Sequence, residues 1–286
     1  MSVDAADTPA ITAEAAQDRA APASPAPRHE LAAVDPATAP TSPAAPASAA
    51  AEALVVGGLQ PFTTIDYPGA LAAVVFVQGC PWRCGYCHNP QLQPRVKPAE
   101  AAGPGWAALR PWLARRVGLI DAVVFSGGEP TLDPALPAAM AEVRAIGLKV
   151  GLHTAGIYPQ RLAAALPLAD WVGLDLKAPP ADDTAHDRVT GVRGSAAALR
   201  RSLALLAASG VAHECRSTIH PALHDDAALL AMADALAAAG VADWALQICR
   251  PPKGSALAPV GAGWPAAGLV ERLRARCARL ILRDPA

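Results

Sequence analysis

Cys80, Cys84 and Cys87 fall within eight residues, in the stretch Cys80-Pro-Trp-Arg-Cys84-Gly-Tyr-Cys87-His88-Asn89-Pro90. Thiolates are soft donors, and three on one short loop can converge on one inorganic centre. Three protein ligands leave a four-ligand centre with one open position, where chemistry can occur. Several centres compete for this spacing. A structural zinc site uses four closed ligands, commonly as two close pairs. Here the other cysteines, Cys215, Cys249 and Cys277, are isolated, and adjacent residues such as Cys87 and His88 rarely face one ion. Cys84-Gly-Tyr-Cys87-His88 also fits the C-x-x-C-H haem attachment pattern. That reading needs an exported, oxidising setting, and the N-terminus has no basic segment followed by an apolar one. A thioredoxin-like pair leaves Cys80 without a task. Gly79, Pro81, Gly85 and Pro90 make the segment a loop, which argues against cysteines that only pack a core. An iron–sulfur cluster with three cysteine ligands and one free iron uses all three thiols.

The elements that must position this loop are written as short apolar runs alternating with helical patterns. Strands are predicted over 71–78, 122–126, 149–153, 171–176, 213–219 and 244–249. Between them, Asp133 precedes Pro134 as the cap and first turn of a helix running to Ile146, with Gly147 as its stop. Ser195 is read as the cap of a helix through Ala208, and Asp225 of one through Ala239. Pro265 or Ala266 opens a last helix through Arg283, containing Cys277; shorter helices cover 111–116 and 160–165. Strands alternating with helices imply βαβ units and a parallel sheet, either a partial barrel or an open doubly wound sheet. Periodicity alone does not separate the two.

In such folds the site gathers where strands end. The cysteine loop follows the first strand, Ser126-Gly127-Gly128-Glu129-Pro130 the second and His153-Thr154-Ala155-Gly156 the third. Asp175 and Lys177 end the fourth, Arg216 lies in the fifth, and Gln247 and Arg250 end the sixth. This shared position carries more weight than any one motif.

The chain has 286 residues and a net charge of −1, so no global basic field points to nucleic acid. No apolar run reaches the roughly 18–20 residues of a membrane span. The first fifty or so residues are mostly Ala, Pro, Ser and Thr without apolar periodicity, and such a tract cannot bury enough surface to offset its ordering entropy. Residues 1–52 are therefore expected to be a disordered tail and residues 53–286 the folded domain. Free thiols and no signal peptide fit a reducing cytoplasm.

The C-x3-C-x2-C spacing, with Tyr86 before the last cysteine, resembles the signature of the radical S-adenosylmethionine (radical SAM) superfamily. His88-Asn89-Pro90 and the upstream Gln60-Pro-Phe-Thr-Thr-Ile-Asp66-Tyr67-Pro68-Gly69 are similar to its glycyl-radical-enzyme activase branch, above all to activases of anaerobic ribonucleoside-triphosphate reductase. The likeness runs from about Leu59 to about Arg250.

The resemblance implies an α/β fold, a partial (β/α)6 TIM-like barrel behind the disordered Ala/Pro-rich tail. It implies a [4Fe-4S] cluster on Cys80, Cys84 and Cys87, and S-adenosylmethionine reductively cleaved there. The resulting 5′-deoxyadenosyl radical removes a hydrogen from a backbone glycine of a glycyl radical enzyme, anaerobic ribonucleotide reductase being the favoured partner. Flavodoxin or ferredoxin is the implied electron donor. Gly127-Gly128-Glu129-Pro130 resembles the motif that meets the methionyl ammonium: glycines permit close backbone approach and a carboxylate suits an ammonium. Thr154 belongs to the same ligand set. Asp175 and Lys177 match the activases' D-x-K, and Lys177 and Arg216 are cationic candidates for the ligand's carboxylate or ribose. Arg216 could instead pair with Glu214, which strand alternation puts on the same face. Gln247 and Arg250 match a sixth-strand Q-x-x-R. His153 departs from the usual Asp, and an imidazole does not replace a carboxylate. The histidines at 186, 213, 220 and 224 have no metal spacing and are read as surface or turn residues. Cysteine is absent between Cys87 and Cys215, so one cluster is expected.

Overall fold

Eight strands follow one another in sequence order across a single sheet. They are β1 (Val56–Thr63), β2 (Ala72–Val77), β3 (Ala122–Gly127), β4 (Lys149–Thr154), β5 (Trp171–Asp175), β6 (Ala212–Ile219), β7 (Asp243–Ile248) and β8 (Arg279–Arg283) in a computed structural model that describes residues 48–283. β1 pairs antiparallel with β2, and every later pairing is parallel. β1 and β8 stand at the two ends of this order. The helices are α1 (Ala49–Glu52), α2 (Trp106–Ala114), α3 (Leu136–Ala145), α4 (Pro159–Ala165), α5 (Asp183–Thr190), α6 (Ser195–Ser209), α7 (Asp226–Ala238) and α8 (Ala267–Arg274).

Strand alternation sorts the side chains into two layers. Val75, Val77, Val123, Phe125, Val150, Leu152, Val172 and Leu174 face the helices and join Leu109, Met140, Leu162, Leu199, Leu206, Met232 and Leu236 in the main core. Each such side chain, fully buried, contributes about 1.5–3 kcal/mol. On the opposite layer Ala72, Val74, Ala122 and Val124 pack against Tyr67 and Phe76. The Tyr67 ring lies 5.4 Å from that of Trp171, across the start of β5. Gly151 leaves room for it, since a Cβ there would come within 3.0 Å of the Tyr67 ring. This layer is apolar near the strand starts and turns polar toward their C-terminal ends, at His153, Asp175, Arg216 and Thr218.

The six predicted strands are β2 to β7. Two more were not expected. β1 contains two glycines and a proline, which hides its strand character. β8 falls where a last helix through Arg283 was expected: α8 stops at Arg274, and Arg279–Arg283 pairs with β7. Cys277 lies in the intervening turn, not in a helix, and is buried. α5 was also unforeseen. Asp133 does not cap α3. Its carboxylate takes the N–H of Ala135 at 3.0 Å and of Val55 at 3.2 Å, and the helix starts at Leu136. Gly194, not Ser195, precedes α6. Asp225 caps α7 as expected, accepting from the Ala228 N–H at 2.7 Å. Most of the predicted tail lies outside the described residues, while α1, within the range assigned to it, buries Ala51 and is capped by Ser48.

Candidate functional site

The cysteine loop leaves β2 and is stapled shut at its neck. The Gly79 N–H donates to Leu92 O at 2.7 Å and the Cys80 N–H to Gln93 O at 3.0 Å. The Gln78 amide donates to Gln91 O and Pro94 O at 3.0 and 2.9 Å. Farther out, His88 Nε2 donates to Arg250 O at 2.6 Å, and Ser255 Oγ donates to Gly85 O at 3.1 Å. The loop is thus tied to itself and to the segment after β7.

Cys80, Cys84 and Cys87 are half-buried, unpaired thiols that line an open cleft of about 230 Å³. Burial pushes the Cys80 thiol up to about 12, with Glu129 and Cys84 adding to the rise and the Trp82 N–H and Lys177 opposing it. Burial also raises Cys84, against the pull of Lys177. A cation that takes the thiolate therefore favours ionisation of Cys80 and Cys84 against this burial. Among the described residues no three His, Cys, Asp or Glu side chains form a cage for a single metal ion. A cuboidal cluster makes a different demand, because each thiolate binds a different iron. Three soft donors standing around an opening fit that demand.

The end of β3 comes against this loop. Gly127 has φ 111°, in the region that favours glycine. A Cβ on Gly128 would lie 2.3 Å from Gly79 O, so only glycine lets the two backbones meet. Both glycines line the cleft. Glu129 does not. It is wholly buried, and its carboxylate accepts from Thr131 N and Oγ1, from Thr154 Oγ1 at 2.6 Å and from the Ala155 N–H at 2.8 Å. Burial raises its pKa despite these donors. Its visible work is to bind the β3 and β4 ends together, with Pro130 opening the short turn between.

A chain of polar groups lines the cleft from the end of β5 through Arg216 of β6 to His153 of β4. Lys177 Nζ lies 2.9 Å from Asp175 Oδ2, and Arg216 Nη2 lies 3.1 Å from Asp175 Oδ1. Arg216 therefore pairs with Asp175; Glu214 faces Arg283 at 3.5 Å instead. Burial opposes ionisation of Asp175, but Lys177 and then Arg216 outweigh it and hold its pKa at about 2. Burial also opposes charge on Lys177, which Asp175 overcomes, raising its pKa. Two cations on one carboxylate leave one positive charge toward the cleft.

Burial, then Arg216, holds His153 neutral. Its Nε2 is 2.8 Å from Asp66 O, and Arg216 Nη1 lies 3.0 Å from Nε2 and 3.1 Å from Nδ1. The Asp66 carbonyl can only accept, so the ring hydrogen sits on Nε2, and Nδ1 is left as the nitrogen able to accept from the guanidinium. His153 thus supports Arg216 from below. Gly173 clears the space, since a Cβ there would lie 3.0 Å from Arg216 Nε.

Of the predicted residues, Cys80, Cys84, Cys87, Gly127, Gly128, Thr154, Asp175, Lys177 and Arg216 share the cleft wall, and Glu129, Pro130 and Gln247 stand behind or beside it. Gln247 reaches toward Arg283 O at 3.5 Å. Trp82, Gln93 and Thr218 line the cleft without having been singled out. Thr218 had a signal, lying two residues past Arg216 on the same strand face. His186, His220 and His224 are buried, contrary to expectation. Ala258 O for His220 and Lys177 O for His224 come from distant segments, while His186 meets Ser195 nine residues on.

The family model described as "Radical SAM superfamily" matches residues 74–235. Over 126 residues the chain is 32% identical to a protein of Methanocaldococcus jannaschii named as a glycyl-radical enzyme activating enzyme, covering 43% of this chain and 50% of that protein. Over 147 residues it is 33% identical to the PqqA peptide cyclase of Xanthomonas axonopodis pv. citri, covering 49% of this chain and 37% of that one. The chain thus spans half or less of the length of these curated relatives. Among solved structures it is similar in fold to QueE from Escherichia coli, with a TM-score of 0.52 and 18% identity over 80% of this chain and 93% of that one. It is likewise similar to Streptococcus suis SuiB bound to S-adenosylmethionine, with a TM-score of 0.56 and 15% identity over 73% of this chain and 48% of that one.

Proposed function

The chain belongs to the radical SAM superfamily, and we propose that within it the protein is a glycyl-radical-enzyme activase with anaerobic ribonucleoside-triphosphate reductase as its partner. The observation that carries this reading is the 32% identity to a relative named as such an activating enzyme. The superfamily uses a [4Fe-4S] cluster and S-adenosylmethionine. The donor set fits both: Cys80, Cys84 and Cys87 would hold the cluster, while Gly127, Gly128, Thr154, Asp175, Lys177 and Arg216 would receive S-adenosylmethionine. When bound, this pair supplies one-electron reductive cleavage of the sulfonium and a radical that removes a hydrogen atom.

The chain's own residues bind and orient. The glycine pair lets backbone reach the ligand. The excess positive charge of Lys177 and Arg216 over Asp175 suits a ligand carboxylate. Glu129 fixes the strand ends, and His153 contacts the Arg216 guanidinium from β4. The open cleft suits a polypeptide substrate that brings its own cover. We further propose residues 53–286 as the catalytic domain and 1–52 as a tail, a cytoplasmic setting, and flavodoxin or ferredoxin as electron donor. Among the described residues no helix is long and apolar enough to cross a membrane.

A second reading has one observation in its favour: the 33% identity to PqqA peptide cyclase, which points to a peptide substrate instead. One anaerobic experiment separates the two. The protein is reconstituted with iron and sulfide, reduced, and given S-adenosylmethionine together with purified anaerobic ribonucleotide reductase. Formation of 5′-deoxyadenosine with a glycyl radical signal on the reductase, both lost in Cys84→Ala, supports the activase. Formation of 5′-deoxyadenosine with no such radical on the reductase overturns it and leaves the peptide reading.

A further inference from the structure

We infer that the C-terminal turn of α5 is a positioning device for the cysteine loop, gripping it between Cys80 and Cys84. This inference rests on those cysteines as cluster ligands and not on the activase reading. The grip has two parts. The Arg83 N–H donates to Thr190 O at 2.7 Å, and the Arg83 guanidinium folds back onto Cys80 O and Trp82 O at 2.6 and 2.8 Å. Beside it Trp82, 3% exposed, sets its ring against His186, with centroids 5.5 Å apart and planes at 77°. Gly191, at φ 68°, brings the end of the helix this close, since a Cβ there would lie 3.0 Å from Arg83 O.

The grip is braced from behind. His186 Nδ1 donates to Ser195 Oγ at 2.6 Å, and that hydroxyl donates to Asp187 Oδ1 at 2.9 Å. Thr190 Oγ1 lies 2.8 Å from the same Ser195 oxygen. The Asp187 carboxylate also takes the N–H groups of Gly194 and Ser195, at 2.9 and 3.0 Å. The α5–α6 corner is thereby locked as one unit. An independent observation shows what that unit serves. The apolar residues of α5, Ala185 and Val189, are absent from the main core; they pack with Tyr86, Ala178 and Cys249, against which Cys84 rests. The helix sets its apolar face against Tyr86 and Cys84 of the loop and against the segments just after β5 and β7, apart from the main core.

A cluster needs three thiols at fixed separations. Ordering a loop costs about 1–2 kcal/mol per residue. A loop held in place beforehand binds with that cost already met and releases iron more slowly.

The test uses the full chain in two states. In the cluster-free protein, trypsin cleavage after the exposed Arg83 reports local opening. Gly191→Ala and Trp82→Ala are expected to speed cleavage there about tenfold relative to other sites, and Trp82→Phe to restore it. Leu236→Ala, in the main core, is the control for general loss of stability and should speed all sites alike. In the reconstituted protein, the same two variants should lose iron to a chelator about tenfold faster than the control. Equal cleavage and equal iron loss in the grip variants and the control would overturn the proposal. Selective cleavage without faster iron loss would overturn its link to the cluster while leaving the cysteine assignment intact.

Discussion

Asp175 accepts from Lys177 and Arg216 together, so its charge is worth more to the folded chain than to the unfolded one. Its pKa falls to about 2, from an ordinary value near 4. A depressed carboxylate contributes stability above the unfolded pKa and loses it as pH falls through the folded one. Asp175→Asn should therefore cost on the order of 2 kcal/mol at pH 6 and converge on the wild type between pH 4 and pH 2, read by denaturant melts across that range. His153 should remain neutral through pH 6–7 with its hydrogen on Nε2; nitrogen NMR showing a titration near pH 6.5, or the hydrogen on Nδ1, would contradict the contact geometry. At this scale the sequence was informative where chemistry restricts the residue type. Three close thiols, a glycine pair and a D-x-K have few bland uses, and all line the cleft except where a carboxylate turns inward, as at Glu129. It was uninformative where burial depends on remote backbone. Nothing local marks His224 as buried, because Lys177 O is supplied by the fold.

Apolar runs and the mixed strands β6 and β7 were legible, whereas β1, β8 and α5 were not. β2 to β5 are apolar runs enriched in β-branched residues or bounded by turn signals. β8 reads Arg-Leu-Ile-Leu-Arg after an arginine-rich helix, so helical periodicity carries through it; pairing with β7 decides the matter. α5 is a polar stretch whose few apolar residues pack with Tyr86, Ala178 and Cys249 outside the main core, and no long apolar stripe betrays it. The junction of β3 with the cysteine loop gives a sharp test. Gly128→Ala places a methyl carbon 2.3 Å from Gly79 O, where backbone has to move. It should cost about 1–3 kcal/mol in the cluster-free protein and also shorten iron retention, measured by denaturant unfolding and chelator release. The N-terminal elements give another. Removing residues 1–47 should leave the unfolding midpoint unchanged, whereas removing 1–53 deletes α1, its Ser48 cap and the Ser48 N–H bond to Glu142 at 2.7 Å. The second truncation should lower stability by about 1–2 kcal/mol.

For the whole molecule, alternation of strands and helices was enough to predict a parallel α/β sheet, and the resemblance supplied its barrel form. Strand number was not legible, because both additional strands stand at the ends of the order. Those ends also govern how the folded protein behaves toward its own copies. An outermost strand carries a row of unpaired amide and carbonyl groups, a template on which another chain can add itself and seed precipitation. β1 carries Pro61, which has no N–H to offer, beside a register irregularity between Gln60 and Thr63. β8 begins and ends on arginines. A proline break on one side and like charges on the other discourage edge-to-edge growth, so concentrated solutions of this protein should stay free of fibres.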